Sequence, residues 1–331
     1  MRPLLLVTNA AAGGADASAV EAALLVLRTH ADVEVAATAD PGELREVLGR
    51  RDGRAVVVAG GDGSLHALVE ALDSLGALRG PDEPGAEPPT VGLLPLGTGN
   101  DFSRAFGLPR EPEAAAAVVV EGHSVDVDVL RDDAGGLVVN VAHIGVGAEA
   151  GERAAPWKAR FSKVGLGVVG YAVGAVLALF ATDGWRLAVR ADGRTVTGGR
   201  RRVLQVAVAN GRTIGGGAEI APDSDATDGL ADLTVSFATG PLARVRYGIA
   251  MRRGRHQARE DVVHLRARVV TVRAVRNRFR VNSDGELSDP LRERTWRVEP
   301  AAYRMLVPAP SSVRSPGEDL QPREGTDPSR S

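Results

Sequence analysis

The stretch Val56-Val-Val-Ala-Gly-Gly-Asp-Gly-Ser-Leu65 decides the fold because it is typical of a buried strand that ends in a glycine-rich loop. Residues 65–72 then show helical spacing. A plain turn needs one glycine, whereas this loop has three around Asp62. A strand, a glycine loop and a helix N-terminus in that order present backbone N–H groups to an anion. The stretch therefore predicts an anion-binding loop.

The first 125 residues alternate apolar runs of strand length with helical patterns. Strands are predicted at residues 3–9, 33–38, 55–59 and 90–94, and helices at 15–30, 42–51 and 65–78. This alternation favours a doubly wound, mostly parallel α/β sheet that binds ligands beyond the carboxyl ends of its strands. Glycine-rich turns also follow strands at 9–14 and 95–101. We expect all three loops to converge on one rim.

After residue 121, the predicted secondary structure changes from alternating strands and helices to mostly strands. Strands separated by turns are predicted at residues 124–130, 137–144, 185–191, 203–210, 230–237 and 266–272. Recurrent strands with few helices favour an all-β, sandwich-like domain. We expect an α/β domain at 1–125, completed by a C-terminal segment near 290–308, a β-rich domain at 126–290, and a disordered tail at 309–331, where little can be buried.

Composition narrows the classes of protein. The 331 residues carry a net charge of −2, so the chain has no general attraction to nucleic acid, and none is expected as a partner. Cysteine is absent, which excludes disulfides and thiolate metal sites and favours the cytoplasm. We expect no signal peptide. Residues 164–182 are uncharged, but four glycines favour a buried or membrane-facing helix over a membrane span. The basic residues 252–256 suit docking on anionic lipid.

Five motifs in order carry a resemblance to a known family. They are Asn9 with Gly13-Gly14, Gly60-Gly-Asp-Gly-Ser64, Pro95-Leu-Gly-Thr-Gly-Asn-Asp101, Asn210-Gly211 with Gly215–Gly217 and Asp228-Gly-Leu230, and Ser283-Asp-Gly-Glu286. The sequence resembles the diacylglycerol kinase catalytic-domain family, which includes soluble bacterial lipid kinases and sphingosine and ceramide kinases. The resemblance implies a two-domain kinase with an NAD-kinase-like N-terminal domain. ATP and Mg²⁺ would occupy the cleft, and the β-rich domain would hold a lipid alcohol.

The resemblance also implies which residues bind the nucleotide. These are Asn9, Thr38, Gly60, Gly61, Asp62, Gly63, Ser64, Gly97, Thr98, Asn100 and Asp101. The glycines would let backbone donors approach the phosphates. Asp62 is an acceptor and cannot bind phosphate directly, so we expect it to act through Mg²⁺ or to order its loop. Thr38 has an equally good interpretation as an ordinary residue at a strand end.

Two carboxylates are the candidates for the catalytic base. The resemblance places this role in Ser283-Asp-Gly-Glu286, where Asp284 is slightly favoured over Glu286. Phosphoryl transfer to an alcohol needs such a group to accept the hydroxyl proton. The alternative is that Asp284-Gly285 is only a hairpin turn. His66 stands where asparagine is common in the family, and we interpret it as a solvated or packed side chain.

A second metal site is implied in a loop rich in aspartate. Related bacterial kinases hold a structural Mg²⁺ there, which corresponds to the Asp228 carboxylate with backbone carbonyls of Asp225 and Leu230. Thr227 replaces an acidic residue that often precedes this Asp-Gly pair. The missing acidic side chain lowers the metal affinity expected for this loop, and it has less bearing on the expected catalysis.

The function expected from the sequence is an ATP-dependent lipid kinase, with diacylglycerol as acceptor and phosphatidic acid as product. A kinase of sphingoid or other lipids, an NAD kinase, and a catalytically silent nucleotide- or lipid-binding module remain alternatives. The enzyme would be cytoplasmic and would meet its lipid substrate at a membrane surface. A homodimer is compatible with the sequence.

Overall fold

A computed structural model describes residues 2–10, 13–80, 85, 87–145 and 183–309. The helices are α1 (Gly14–His30), α2 (Pro41–Gly49), α3 (Asp62–Ser74), α4 (Asp101–Ala105), α5 (Pro112–Glu121) and α6 (Pro241–Arg252), with a 3₁₀ turn at His256–Ala258. The strands of the first half are β1 (Arg2–Asn9), β2 (Ala31–Thr38), β3 (Ala55–Gly60), β4 (Thr90–Pro95), β5 (His123–Asp132), β6 (Leu137–Val138) and β7 (Val141–Gly145). Those of the second are β8 (Leu187–Ala191), β9 (Arg194–Gly198), β10 (Gln205–Ala209), β11 (Thr213–Ile214), β12 (Ala218–Glu219), β13 (Ala231–Ser236), β14 (Val262–Ala267), β15 (Val269–Ala274), β16 (Val281–Ser283), β17 (Glu286–Leu287) and β18 (Glu293–Val307).

Four parallel strands in the order β2-β1-β3-β4 form the centre of the N-terminal half. Strand β3 is apolar on both faces because helices cover both sides of a parallel sheet. Val56 and Val58 pack toward α2 and α3, whereas Val57 faces the cluster that includes residues of α1 and α5. The doubly wound α/β prediction is confirmed, with the strand and helix ends shifted by a few residues.

Strand β18 links the two halves of the molecule. Its C-terminal part pairs in parallel with β4, and β5 runs antiparallel along most of its length. Its N-terminal part pairs with β15, which continues the same sheet to β8 and β9. The C-terminal segment therefore completes the N-terminal sheet, and the predicted boundary after residue 125 falls inside β5.

A break in β18 marks the joint between the halves. Its register with β5 shifts between Glu299 and Tyr303, and Ala301 has a positive φ of 54°. The buried Asp128 carboxylate accepts hydrogen bonds from the backbone N–H of Ala301 at 2.9 Å and of Gly229 at 2.7 Å. Desolvation is the main cause of the raised pKa of Asp128, and the two hydrogen bonds oppose it.

The second half is a β-sandwich, as predicted from its recurrent strands. An antiparallel sheet in the order β14-β13-β10-β7-β16-β17 shares a core with β8, β15 and β18, in which Trp296 is buried. Two strand predictions were wrong in detail. Residues 137–144 form two strands, and residues 266–272 contain the junction between β14 and β15, which lie in different sheets. A continuous apolar pattern cannot reveal where the chain changes sheet.

Two predicted segments lie outside the described residues, namely 164–182 and nearly all of the tail at 309–331. Within the described ranges, no helix is both long and apolar enough to cross a membrane.

Candidate active site

The rim of the parallel sheet carries a cavity of about 160 Å³ at the ends of β1, β2 and β3. Its lining includes Asn9 at the end of β1, Thr38 at the end of β2, and Ser64 in the first turn of α3. Three of the predicted nucleotide residues, 26 to 55 positions apart in the chain, thus share one cavity. Parallel strands bring their carboxyl ends to the same edge, which is where such folds bind ligands.

The two glycine-rich loops lie against each other. A Cβ added to Gly61 would approach the Gly97 Cα to 2.9 Å, and one added to Gly97 would approach the Gly61 Cα to 2.5 Å. A Cβ added to Gly63, by contrast, would have no other atom within 4 Å. The backbones can meet only because neither Gly61 nor Gly97 has a side chain. These two glycines are therefore required for loop packing, whether or not they also admit a phosphate.

Asp62 orders these loops. Its two carboxylate oxygens accept the backbone N–H groups of Asp101 and Phe102, both at 2.9 Å, at the start of α4. Asn100, just before α4, has a positive φ of 49°, and its side-chain amide donates to the carbonyl oxygens of Pro95 and Gly97. Of the two roles expected for Asp62, the hydrogen bonds correspond to loop ordering. Thr98 lies at the tip of the second loop.

Asp101 connects the second loop to the β-rich half. One carboxylate oxygen accepts from Thr213 Oγ1 and Arg104 Nη1, both at 2.8 Å, and the other accepts from the Gly216 N–H at 2.8 Å. Thr213 and Gly216 belong to the β11–β12 hairpin and its turn. The buried Asp101 carboxylate, predicted to bind the nucleotide, thus links the second glycine loop to the β11–β12 hairpin through hydrogen bonds.

Asp284 belongs to the β-rich half and contacts the helix that follows the first glycine loop. Asp284 and Gly285, with φ of 49° and 103°, form the two-residue turn between β16 and β17. The Asp284 carboxylate, 4 % exposed, accepts backbone N–H groups of Val139 at 2.6 Å, Asn140 at 3.0 Å and Val141 at 2.8 Å. The hairpin turn of the second interpretation is therefore present, and the catalytic role of Asp284 stays a prediction.

His66 also contacts Asp284, which the sequence did not predict. The Nδ1 atom of His66 lies 3.0 Å from Asp284 Oδ2, and the imidazole is 12 % exposed. The hydrogen bond to Asp284 is the main cause of the raised pKa of His66, with smaller contributions from the charges of Glu70 and Glu286 and an opposing one from burial. Of the two interpretations of His66, the structure shows the packed side chain, with a hydrogen-bond partner 218 residues away in the chain that the sequence did not indicate.

Glu286, the second carboxylate predicted for catalysis, lies in β17 with an exposed side chain. It is close enough to raise the pKa of His66 through its charge. The structure thus brings His66 into contact with Asp284 and near the charge of Glu286. Two residues before His66 on α3, Ser64 lines the cavity with Asn9 and Thr38.

The loop that includes Asp225, Asp228 and Leu230 does not suit a resident metal as it stands. The Asp228 carboxylate forms an ion pair with Arg266, and Asp225 accepts hydrogen bonds from the N–H and hydroxyl of Thr227. Within the described part of the chain, no three side chains of the His, Cys, Asp and Glu types form a metal-binding group. A divalent cation at Asp228 would have to displace the guanidinium, so we derive no catalytic step through this loop.

Comparison with known proteins agrees with this geometry. Residues 3–131 match the diacylglycerol kinase catalytic domain, and residues 140–307 match the YegS C-terminal NAD kinase beta sandwich-like domain. A protein named "Probable lipid kinase YegS-like" from Stenotrophomonas maltophilia (strain K279a) is 30% identical over 77% of this chain and 79% of its own length. One named "Diacylglycerol kinase" from Bacillus subtilis (strain 168) is 28% identical over 70% of each chain.

The fold is likewise that of a solved structure. A diacylglycerol kinase from Bacillus anthracis str. Sterne superimposes with a TM-score of 0.68, over 92% of this chain and 97% of that one, at 20% identity. The two family matches, together with this fold, define a two-domain kinase. The chain belongs to the diacylglycerol kinase catalytic-domain family of lipid kinases.

Loop packing predicts opposite effects for two neighbouring glycines. Gly61→Ala should lower the free energy of unfolding by about 1–3 kcal/mol, because the new Cβ forces two backbones apart. The matched Gly63→Ala should be neutral or stabilising by up to about 1 kcal/mol, since the methyl group meets open space in a helix. Urea denaturation measures both. Equal stability of the two variants would contradict the packing role of Gly61.

The ion pair at Asp228 predicts how the loop responds to metal. Arg266→Ala leaves Asp228 without its cation and also removes the guanidinium 3.8 Å from the buried Asp232 carboxylate. It should lower the melting temperature by at least about 2 °C, because a part-exposed ion pair contributes about 1 kcal/mol and a buried carboxylate loses a neighbouring positive charge. Mg²⁺ should restore stability in this variant, whereas EDTA should not change the wild-type melting temperature. Arg268→Ala, at an exposed position nearby, is the control. A fall in wild-type stability with EDTA would indicate a resident metal instead.

Proposed function

We propose that the protein transfers the γ-phosphoryl group of ATP to the hydroxyl of diacylglycerol and forms phosphatidic acid. The observation that supports this most is that α3 carries both Ser64, which lines the cavity with Asn9 and Thr38, and His66, which contacts Asp284. This arrangement offers a nucleoside pocket, backbone donors for phosphates at the N-terminus of α3, and proton acceptors beside the first turns of the same helix.

ATP would bind with its nucleoside portion in the cavity and its phosphates at the N-terminus of α3. The loop Gly61–Ser64 begins that helix, and its backbone N–H groups and the helix dipole favour an anion there. Mg²⁺ would enter with the nucleotide, as part of the substrate, and neutralise the charge that develops on the transferring phosphoryl group.

Diacylglycerol is the acceptor that the relatives' names favour, since one is named a diacylglycerol kinase and others lipid kinases. A sphingoid base or another lipid alcohol would need the same chemistry. An NAD kinase is the alternative outside lipids, and the β-sandwich match includes that name. Transfer of labelled phosphate from ATP to a panel of diacylglycerol, sphingosine and NAD separates these alternatives.

We expect labelled phosphatidic acid from diacylglycerol and no labelled NADP. Thr38→Phe should weaken ATP binding at least about tenfold in calorimetry because the ring fills the cavity. Val35→Phe, on the same strand but exposed, should bind ATP normally. Labelling of NAD alone would replace the proposal with an NAD kinase. No labelling of any acceptor, with ATP still bound, would favour a silent binding module.

The enzyme would collect its lipid at a membrane surface through α6. This helix exposes Leu242, Val245 and Ile249, at 73%, 41% and 50% of their surface, on one face. Their spacing of three and four residues places them along one stripe. Exposed Arg246, Arg252 and Arg253 lie on the same helix and at its end, and anionic lipid headgroups complement their charge.

Removing the apolar side chains of α6 should weaken membrane binding. Leu242→Ser with Ile249→Ser should lower sedimentation with phosphatidylglycerol-containing vesicles at least about tenfold, because insertion of the apolar side chains is lost. Activity on detergent-dispersed lipid should be unchanged. Leu25→Ser with Leu75→Ser removes two exposed apolar side chains elsewhere and serves as control. Equal vesicle binding by both double variants would contradict docking through α6.

A further inference from the structure

The Asp284 carboxylate has no open position for a substrate hydroxyl. A carboxylate has about four lone-pair positions on its two oxygens. Oδ1 accepts the N–H groups of Asn140 and Val141, and Oδ2 accepts that of Val139 and contacts His66 Nδ1. Four donors thus surround the carboxylate, which is almost completely buried. A group held in this way orients its neighbours more readily than it accepts another proton.

The contact with Asp284 fixes the tautomer of His66. Because Nδ1 lies 3.0 Å from a carboxylate oxygen, it carries the hydrogen in the neutral imidazole. The lone pair of neutral His66 is then on Nε2. In the part of the chain that the structure describes, this atom has no hydrogen bond and is not sealed from solvent. Asp–His pairs in acyl-transfer enzymes divide the work in the same way, with the carboxylate orienting a basic imidazole.

His66 is also placed toward the phosphate loop. It is the fifth residue of α3, two residues after the loop at Gly61–Ser64. Long side chains of a helix lean toward its N-terminus, so the imidazole points back along the helix toward that loop. The other imidazole near Asp284, that of His143, is excluded because it is buried on β7 and burial lowers its pKa to about 4.

We propose that His66 Nε2 is the proton acceptor of the kinase reaction, with Asp284 as the positioning residue that fixes the imidazole. The lipid O–H bond breaks as its proton passes to Nε2. The lipid oxygen forms a bond to the γ-phosphorus while the bond from that phosphorus to the β–γ bridging oxygen breaks, and ADP leaves. The imidazolium then returns its proton to water. This inference rests on the proposed phosphoryl transfer to a lipid hydroxyl.

The charges around His66 set the expected pH dependence. Asp284, Glu70 and Glu286 all favour the imidazolium, and together they outweigh burial and raise the pKa of His66 above its usual 6.5. Only the neutral imidazole can accept a proton. Activity should therefore be complete above the raised pKa and should fall with a unit slope as the pH drops through it.

The variant His66→Asn tests whether His66 acts as the base or only forms a hydrogen bond with Asp284. An asparagine amide can donate to Asp284 as Nδ1 does, but it has no basic nitrogen. Asparagine is smaller than histidine and keeps a donor for Asp284, so the variant should fold. We expect kcat for diacylglycerol to fall by about 10²–10⁴-fold, the acidic limb of the pH profile to disappear, and ATP affinity to remain that of the wild type. His123→Asn, at an exposed position, is the matched control.

A titration by NMR tests the pair without turnover. Asp284→Asn should lower the pKa of His66, read from its imidazole proton shifts, and should move any remaining acidic limb to lower pH by the same amount. If His66→Asn keeps wild-type kcat and its acidic limb, the inference is overturned and the base is Asp284 or Glu286. If the wild type binds ATP but phosphorylates no lipid, the proposed function fails, and this inference fails with it.

Discussion

The hydrogen bonds of strand β18 are the constraint on which the rest of the structure depends. Its C-terminal part joins the parallel sheet beside β4, and its N-terminal part joins the sandwich beside β15. Because one strand belongs to both halves, the two sides of the cleft are held in a fixed relation by backbone hydrogen bonds rather than by a linker.

Carboxylates that accept backbone N–H groups recur in three loops of the structure. Asp62 accepts two at the start of α4, Asp128 accepts two at the break in β18, and Asp284 accepts three between β6 and β7. A loop N–H group that is buried without a partner costs about 1–3 kcal/mol, so each carboxylate stabilises a loop conformation that the backbone alone would not keep. Aspartates that look catalytic by motif are here largely responsible for the shape of the site.

Because these aspartates already accept hydrogen bonds from the backbone, fewer groups remain that could accept a proton. Once the lone pairs of Asp284 are occupied, the reactive candidates at the cleft are the His66 imidazole and the exposed Glu286 carboxylate. The same reasoning applies to Asp228, whose charge is balanced by Arg266. At both aspartates, the protein's own donors already balance the negative charge that would attract a proton or a cation.

The sequence by itself determined the α/β and β-sandwich classes, because hydrophobic periodicity is a local property that survives without knowledge of contacts. It also located the glycine loops, since strand, loop and helix follow one another in the chain. Tertiary structure alone decided that Gly61 and Gly97 touch, that Asp101 reaches the β11–β12 hairpin, and that His66 meets Asp284. These partners are separated by 36 to 218 residues, and a pairing over such a distance leaves no periodic or local signal in a single sequence. Whether an aspartate accepts a proton in catalysis or holds a loop in place depends on the hydrogen-bond donors around its oxygens, and only the folded chain supplies these donors.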